Sequence, residues 1–102
     1  MTLTEFLLAR IAEDEAEIAN PEWATLPSDG WMGHAAAWGR PRALAECEAK
    51  RLIVEDFEVY AADYRAAPSD FAAGRRHAAL LAASRVAAIY ASHADYLSEW
   101  KP

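Results

Sequence analysis

The sequence predicts an all-α domain, a three-helix bundle, and three observations carry that prediction. Val, Ile and Thr together number only 10 of the 102 residues, too few for an extensive sheet. Apolar residues recur at spacings of three and four, the period of a helix face, and prolines punctuate the stretches between them. Alanine supplies 25 residues, favouring helix and allowing helices to approach closely. The length fits a single domain over 1–102.

The first helix is predicted from Leu3 to Ala19. Thr2 followed by Glu5 has the form of a capping box, in which hydroxyl and carboxylate each satisfy a free backbone amide. Leu3, Leu7, Ile11 and Ile18 fall on one stripe with Leu8 at its edge, and Asn20-Pro21 closes the helix. Residues 20–40 read as a long connection holding Trp23, Trp31 and Trp38. A loop of that length is functional or is packed by its own side chains.

The second helix is predicted from Pro41 to about Arg65, since proline suits a first helical turn and Pro68 stops the run. Its core stripe is Cys47, Ile53, Val54, Phe57, Tyr60, Ala61 and Tyr64. The third helix opens at Ser69, an N-cap with Asp70 behind it. From Ala78 to Ala91 it is apolar almost all round, which predicts a central place between the other two helices. The tail from Ser92 to Pro102 is expected to fold back on Tyr96, Leu97 and Trp100.

Charge and cysteine usage narrow the function. A net charge of −6, with no dominant cluster of Lys and Arg, disfavours nucleic acid as a partner. Arg75 and Arg76 are the adjacent basic pair of the later half, read as a surface pair. The lone Cys47 cannot form an internal disulfide and lies on a core stripe, which favours inert packing over nucleophilic use. Without a basic region before an apolar run, or a membrane-length apolar run, the expectation is a soluble cytoplasmic protein.

Several segments resemble one small domain family. Toward the C-terminus these are Leu81-Ala82, Tyr90-Ala91, His93, Asp95-Tyr96, Glu99 and Trp100. The run Ala45-Glu46-Cys47-Glu48-Ala49-Lys50-Arg51-Leu52-Ile53 is similar to the family's middle helix. Phe6-Leu7, Arg10-Ile11, the acidic Glu13-Asp14-Glu15 and then Pro21-Glu22-Trp23 match its first helix. The family occurs in actinobacteria and their phages and has no assigned activity. Two departures stand out: Arg40-Pro41 replaces the usual Asp-Pro, and Ala94 replaces a proline. The resemblance implies an actinobacterial or actinophage setting and no particular chemistry.

The nearest approach to a catalytic pattern is acidic. Asp14 and Glu17 lie three apart on the first helix, as Glu55 and Glu58 do on the second. Facing each other across a groove, such pairs would hold Mg²⁺ through oxygen ligands, as in all-α nucleotide phosphohydrolases. The plainer reading puts Glu55 and Glu58 on a solvated face beside Arg51. Asp14 falls on the apolar stripe and therefore needs a partner, for which Arg51 and Arg85 are candidates. His34, His77 and His93 sit in separate segments; His93, near Asp95 and Glu99, has the makings of an oriented base, and the plainer reading is a helix-end histidine interacting with the last carbonyls. No cofactor-binding pattern is present among these residues.

The remaining candidates are aromatic. Trp23, Trp31, Trp38 and Trp100 either anchor a protein partner or form a satellite core under the long loop. Aromatic anchors beside acidic faces would match a basic partner surface. The expected function is a non-enzymatic protein-interaction module, in its specific form a phage- or prophage-encoded modulator of a host protein; the alternative is the Mg²⁺-dependent phosphohydrolase.

Overall fold

The computed structural model describes residues 1–20 and 39–102, and every regular element among them is helical. In chain order these are α1 (Leu3–Ala19), α2 (Arg40–Ala66), α3 (Asp70–Ala88) and a final 3-10 turn, Ser98–Trp100. No described helix is long and apolar enough to cross a membrane. The expected connection with Trp23, Trp31, His34 and Trp38 lies outside the described residues.

α1 starts at a reciprocal capping box. The Glu5 N–H donates to the Thr2 hydroxyl at 3.1 Å, and the Thr2 N–H donates to the Glu5 carboxylate at 2.8 Å. That backbone donor holds the Glu5 carboxyl below its ordinary 4.5. Leu3, Phe6, Leu7, Arg10, Ile11 and Ile18 are the buried residues of the helix. The stripe is thus wider than the four aliphatics suggest, taking in the ring of Phe6 and the stem of Arg10.

α2 begins one residue before Pro41, behind Gly39 at φ 91°, a left-handed conformation that glycine adopts without a steric penalty. It carries two apolar faces. Ala43, Cys47, Val54 and Ala61 are its buried residues, and Val54 and Ala61 border α1 at Thr4 and Leu3. Ile53 and Tyr60 border α3 at Ala78, Ala79 and Ala82. Arg75 and Arg76 of α3 lie over the rings of Tyr60 and Tyr64, at 4.2 and 4.0 Å, so this basic pair is laid on aromatic platforms.

α3 is capped by Ser69, whose hydroxyl accepts from the Ala72 N–H at 3.0 Å, and it continues through Gly74. It ends at Ala88, three residues short of the predicted Ala91, and the chain tightens into i→i−3 bonds at Ile89, Tyr90 and Ala91. The central position expected for α3 is corrected: α2 is the middle helix, packed along both neighbours, which meet each other less extensively. α3 buries Ala79, Ala83, Ser84, Val86 and Ala87, while Phe71 stays 73% exposed and Ile89 57%. The reason is area. Alanine reads as apolar but offers only a methyl, so leaving several outside forfeits little hydrophobic free energy.

The core gathers the buried residues of all three helices with Trp100. Phe6 stands at its aromatic centre. Its ring lies 5.0 Å from Trp100, 6.0 Å from Tyr96, 5.7 Å from His93 and 6.3 Å from Tyr90, mostly edge to face. The C-terminal segment therefore packs over α1 around this phenyl ring.

This orientation of α3 predicts an asymmetric response to added bulk. Ala83→Leu, at a fully buried position, should cost about 1–3 kcal/mol in urea denaturation. Ala88→Leu, on the exposed side, should fall within about 0.5 kcal/mol of the parent.

Candidate functional site

Polar side chains concentrate where α1, α2 and the chain after α3 meet. The Tyr90 hydroxyl donates to Asp14 Oδ2 at 2.6 Å and accepts from Lys50 Nζ at 3.2 Å. Lys50 Nζ also lies 5.3 Å from the centre of the Tyr90 ring. A relay of cation, phenol and carboxylate thus ties one residue from each segment. Burial, and then the bond to Asp14, push the Tyr90 hydroxyl above its ordinary 10.0. The phenol stays protonated and serves as a donor; it is unsuited to act as a base near neutrality.

The partner of Asp14 is therefore Tyr90, and the expected pairing with Arg51 or Arg85 is corrected. Arg51 bonds Glu15, the next residue along α1, and Arg85 is exposed on α3. One residue turns a helix position by 100°, so adjacent carboxylates on α1 face different neighbours.

Arg10 organises the second half of the cluster. It is buried, it donates through Nη2 to Glu13 at 2.9 Å, and its Nη1 sits 2.5 Å from His93 Nε2, 3.0 Å from His93 Nδ1 and 3.9 Å from Asp95 Oδ2. The guanidinium also lies 5.3 Å over the Phe6 ring. His93 Nδ1 accepts the Asp95 backbone N–H at 3.0 Å. That nitrogen is thus already occupied, and Asp95 meets the ring through its backbone amide. Both ring nitrogens are engaged, so the imidazole is held in place by Arg10 and the Asp95 amide, a role different from the carboxylate-oriented base and from the plainer helix-end contact with carbonyls. Arg10 Nε is buried with no hydrogen-bond partner among the described residues.

Cys47 is fully buried, and burial followed by the nearby Asp14 carboxylate raises its thiol above 9.0. A thiol so placed is a poor nucleophile. The four candidate metal carboxylates do not form one site among the described residues. Asp14 is engaged by Tyr90, and Glu17 is exposed. Glu58 accepts from the Thr4 hydroxyl, ten residues and thus about 15 Å along α1 from Asp14. Glu55 shares an open groove of about 430 Å³ with Glu58, Arg51, Leu8, Val54 and Val59. No group of three or more His, Cys, Asp or Glu among the described residues is placed to hold a metal ion.

Of the tryptophans, Trp100 is 8% exposed in the core, which leaves little of its indole for a partner. Trp23, Trp31 and Trp38 are not among the described residues. Residue spacing singled out neither Phe6, Arg10, Lys50 nor Tyr90, which hold the cluster together. A signal for two of them was present: Phe6 and Arg10 immediately precede Leu7 and Ile11, and so widen the same stripe.

Comparison with known proteins finds a match at the level of family. The chain belongs to a family of unknown function, DUF6221, whose model matches residues 1–102. No curated protein and no solved structure matches it.

Removing the Tyr90 hydroxyl should weaken the union of the three segments. Tyr90→Phe leaves Asp14 without its donor and should cost about 1–2 kcal/mol in urea denaturation at neutral pH. Because the folded state raises the Tyr90 pKa, its contribution is complete below pH 10.0 and declines as pH rises beyond it. Stability of the parent should therefore fall more steeply above pH 10.0 than that of Tyr90→Phe, as read by stability curves at successive pH values.

Proposed function

We propose that this member of the family is a protein-interaction module acting in the cytoplasm, where it engages a basic partner through an acidic, apolar face. The observation that carries the reading is the outer side of α2. Leu44, Glu48, Leu52, Glu55 and Val59 follow one another at helical spacing, all exposed, with Leu52 at 50% and Val59 at 53%. Alternating aliphatic and carboxylate groups on one helix face supply apolar anchors and charge selection together. The groove of Leu8, Glu55, Glu58 and Val59 adjoins it and offers a concave seat.

Further support comes from how the other polar groups are spent. Asp14, Tyr90, Arg10, His93, Glu15 and Arg51 bond to one another inside the chain, whereas Leu52 and Val59 are left toward solvent. Trp23, Trp31 and Trp38 belong to the same proposal as additional anchors, since indoles commonly dominate binding energy at interfaces. A fully buried free thiol at Cys47 suits a reducing compartment. The specific form, a phage- or prophage-encoded modulator of a host protein, rests on the sequence resemblance to a family of actinobacteria and their phages.

Affinity capture tests the proposal. From an actinobacterial lysate the wild-type chain should retain a basic protein that Leu52→Asp/Val59→Asp loses, and retention should fall sharply between ~0.05 and ~0.5 M salt. Trp31→Ala and Trp38→Ala should each weaken it. Equal retention by wild type and the Leu52→Asp/Val59→Asp variant, whose substitutions lie on the surface, contradicts the assignment of this face.

A further inference from the structure

The outer side of α3 is a second, separate surface with a different character. Phe71, Arg75, Ala78, Ala82 and Arg85 of α3, with Ile89 at its C-cap, follow one another at spacings of four and three, the spacing of a heptad seam. Phe71 is 73% exposed, Ile89 is 57% exposed, and Ala78 and Arg85 are exposed between them. Beside the two alanines, Ile53, Asp56 and Tyr60 of α2 complete a groove of about 310 Å³. The seam runs about 27 Å along the axis.

Read in either direction, this seam has nearly the same order of types: a large apolar residue, an arginine, two alanines, an arginine, a large apolar residue. A two-fold interface requires such a self-complementary patch. We propose that α3 pairs in antiparallel fashion with α3 of a second copy of this chain, about an axis passing between Ala78 and Ala82. Phe71 then meets the partner's Ile89, and Ala78 meets the partner's Ala82, where methyl groups allow the backbones to come close.

Charge selects this occupant over a generic apolar one. Within one chain, Asp56 and Arg85 are both exposed on this side, and neither has an ion pair among the described residues. Antiparallel pairing brings Arg85 to the level of the partner's Arg75. The Arg75 guanidinium is turned onto its own chain's Tyr60 and Phe71, 4.2 and 5.4 Å from their ring centres. Asp56 lines the same groove as Arg75, so the partner's Asp56 is the carboxylate beside that place and receives Arg85. Two such ion pairs, related by the axis, offset the repulsion between arginines and fix the register.

Sedimentation equilibrium on the full chain decides the matter, with circular dichroism verifying the fold of every variant. The wild type should sediment at twice the 11.2 kDa of one chain at tens of micromolar, well above a dissociation constant of about 1 μM. Phe71→Ser and Arg85→Glu alter exposed residues and should each raise the dissociation constant about tenfold or more. The double variant Asp56→Lys/Arg85→Glu should recover most of the loss caused by Arg85→Glu. A monomeric wild type overturns the proposal. So does a dimer indifferent to both single substitutions, which would lie on another face, or a double variant no tighter than Arg85→Glu, which would refute the register.

Discussion

Phe6 is held from four sides by rings that all belong to the last thirteen residues of the chain, and this cage is the constraint on which the rest of the structure depends. α1 meets α3 only sparingly, so it needs another connection to the C-terminal half. The ring supplies it. Tyr96 also meets Trp100 edge to face at 5.8 Å, so the cage is braced among its own members. With α1 fixed in this way, its next turns present Arg10 and Asp14 to His93 and Tyr90, and the polar cluster follows from the aromatic one.

The polar cluster illustrates why titratable groups gathered in one place need not form an active site. Arg10 Nε apart, each polar group there is consumed by a neighbour: the carboxylate by a phenol, the imidazole nitrogens by an amide and a guanidinium. Buried polar groups satisfied in this manner specify how elements meet, because any other packing leaves them unpaired. The unspent surface is of another kind. It consists of aliphatic and aromatic side chains on the outer faces of α2 and α3, the first mixed with carboxylates and the second with arginines.

Much of the local structure was legible in the sequence, because it is written in short-range chemistry. The Thr2–Glu5 box, the Ser69 cap and the stop before Pro68 depend on residues within one turn, and the helix limits follow them closely. The order of the helices in space was not legible. Periodicity counts an alanine as it counts a leucine, and so α3 looked more deeply buried than its methyl groups require. Nor does spacing reveal that Asp14 answers to a residue 76 positions away. A stripe shows that a side chain faces inward; what it meets there is settled by three-dimensional packing. Both Phe6 and Arg10 illustrate this: their positions were readable, their partners were not.

The cage around Phe6 is tested most directly by a double-mutant cycle on Phe6→Leu and Trp100→Leu, measured by urea denaturation of the four proteins. The two rings lie 5.0 Å apart, so the double variant should lose less stability than the sum of the single losses, by about 0.5–1.5 kcal/mol. Losses that add to within about 0.3 kcal/mol would mean that the ring of α1 and the indole of the C-terminal turn stabilise the fold independently, and would contradict the account.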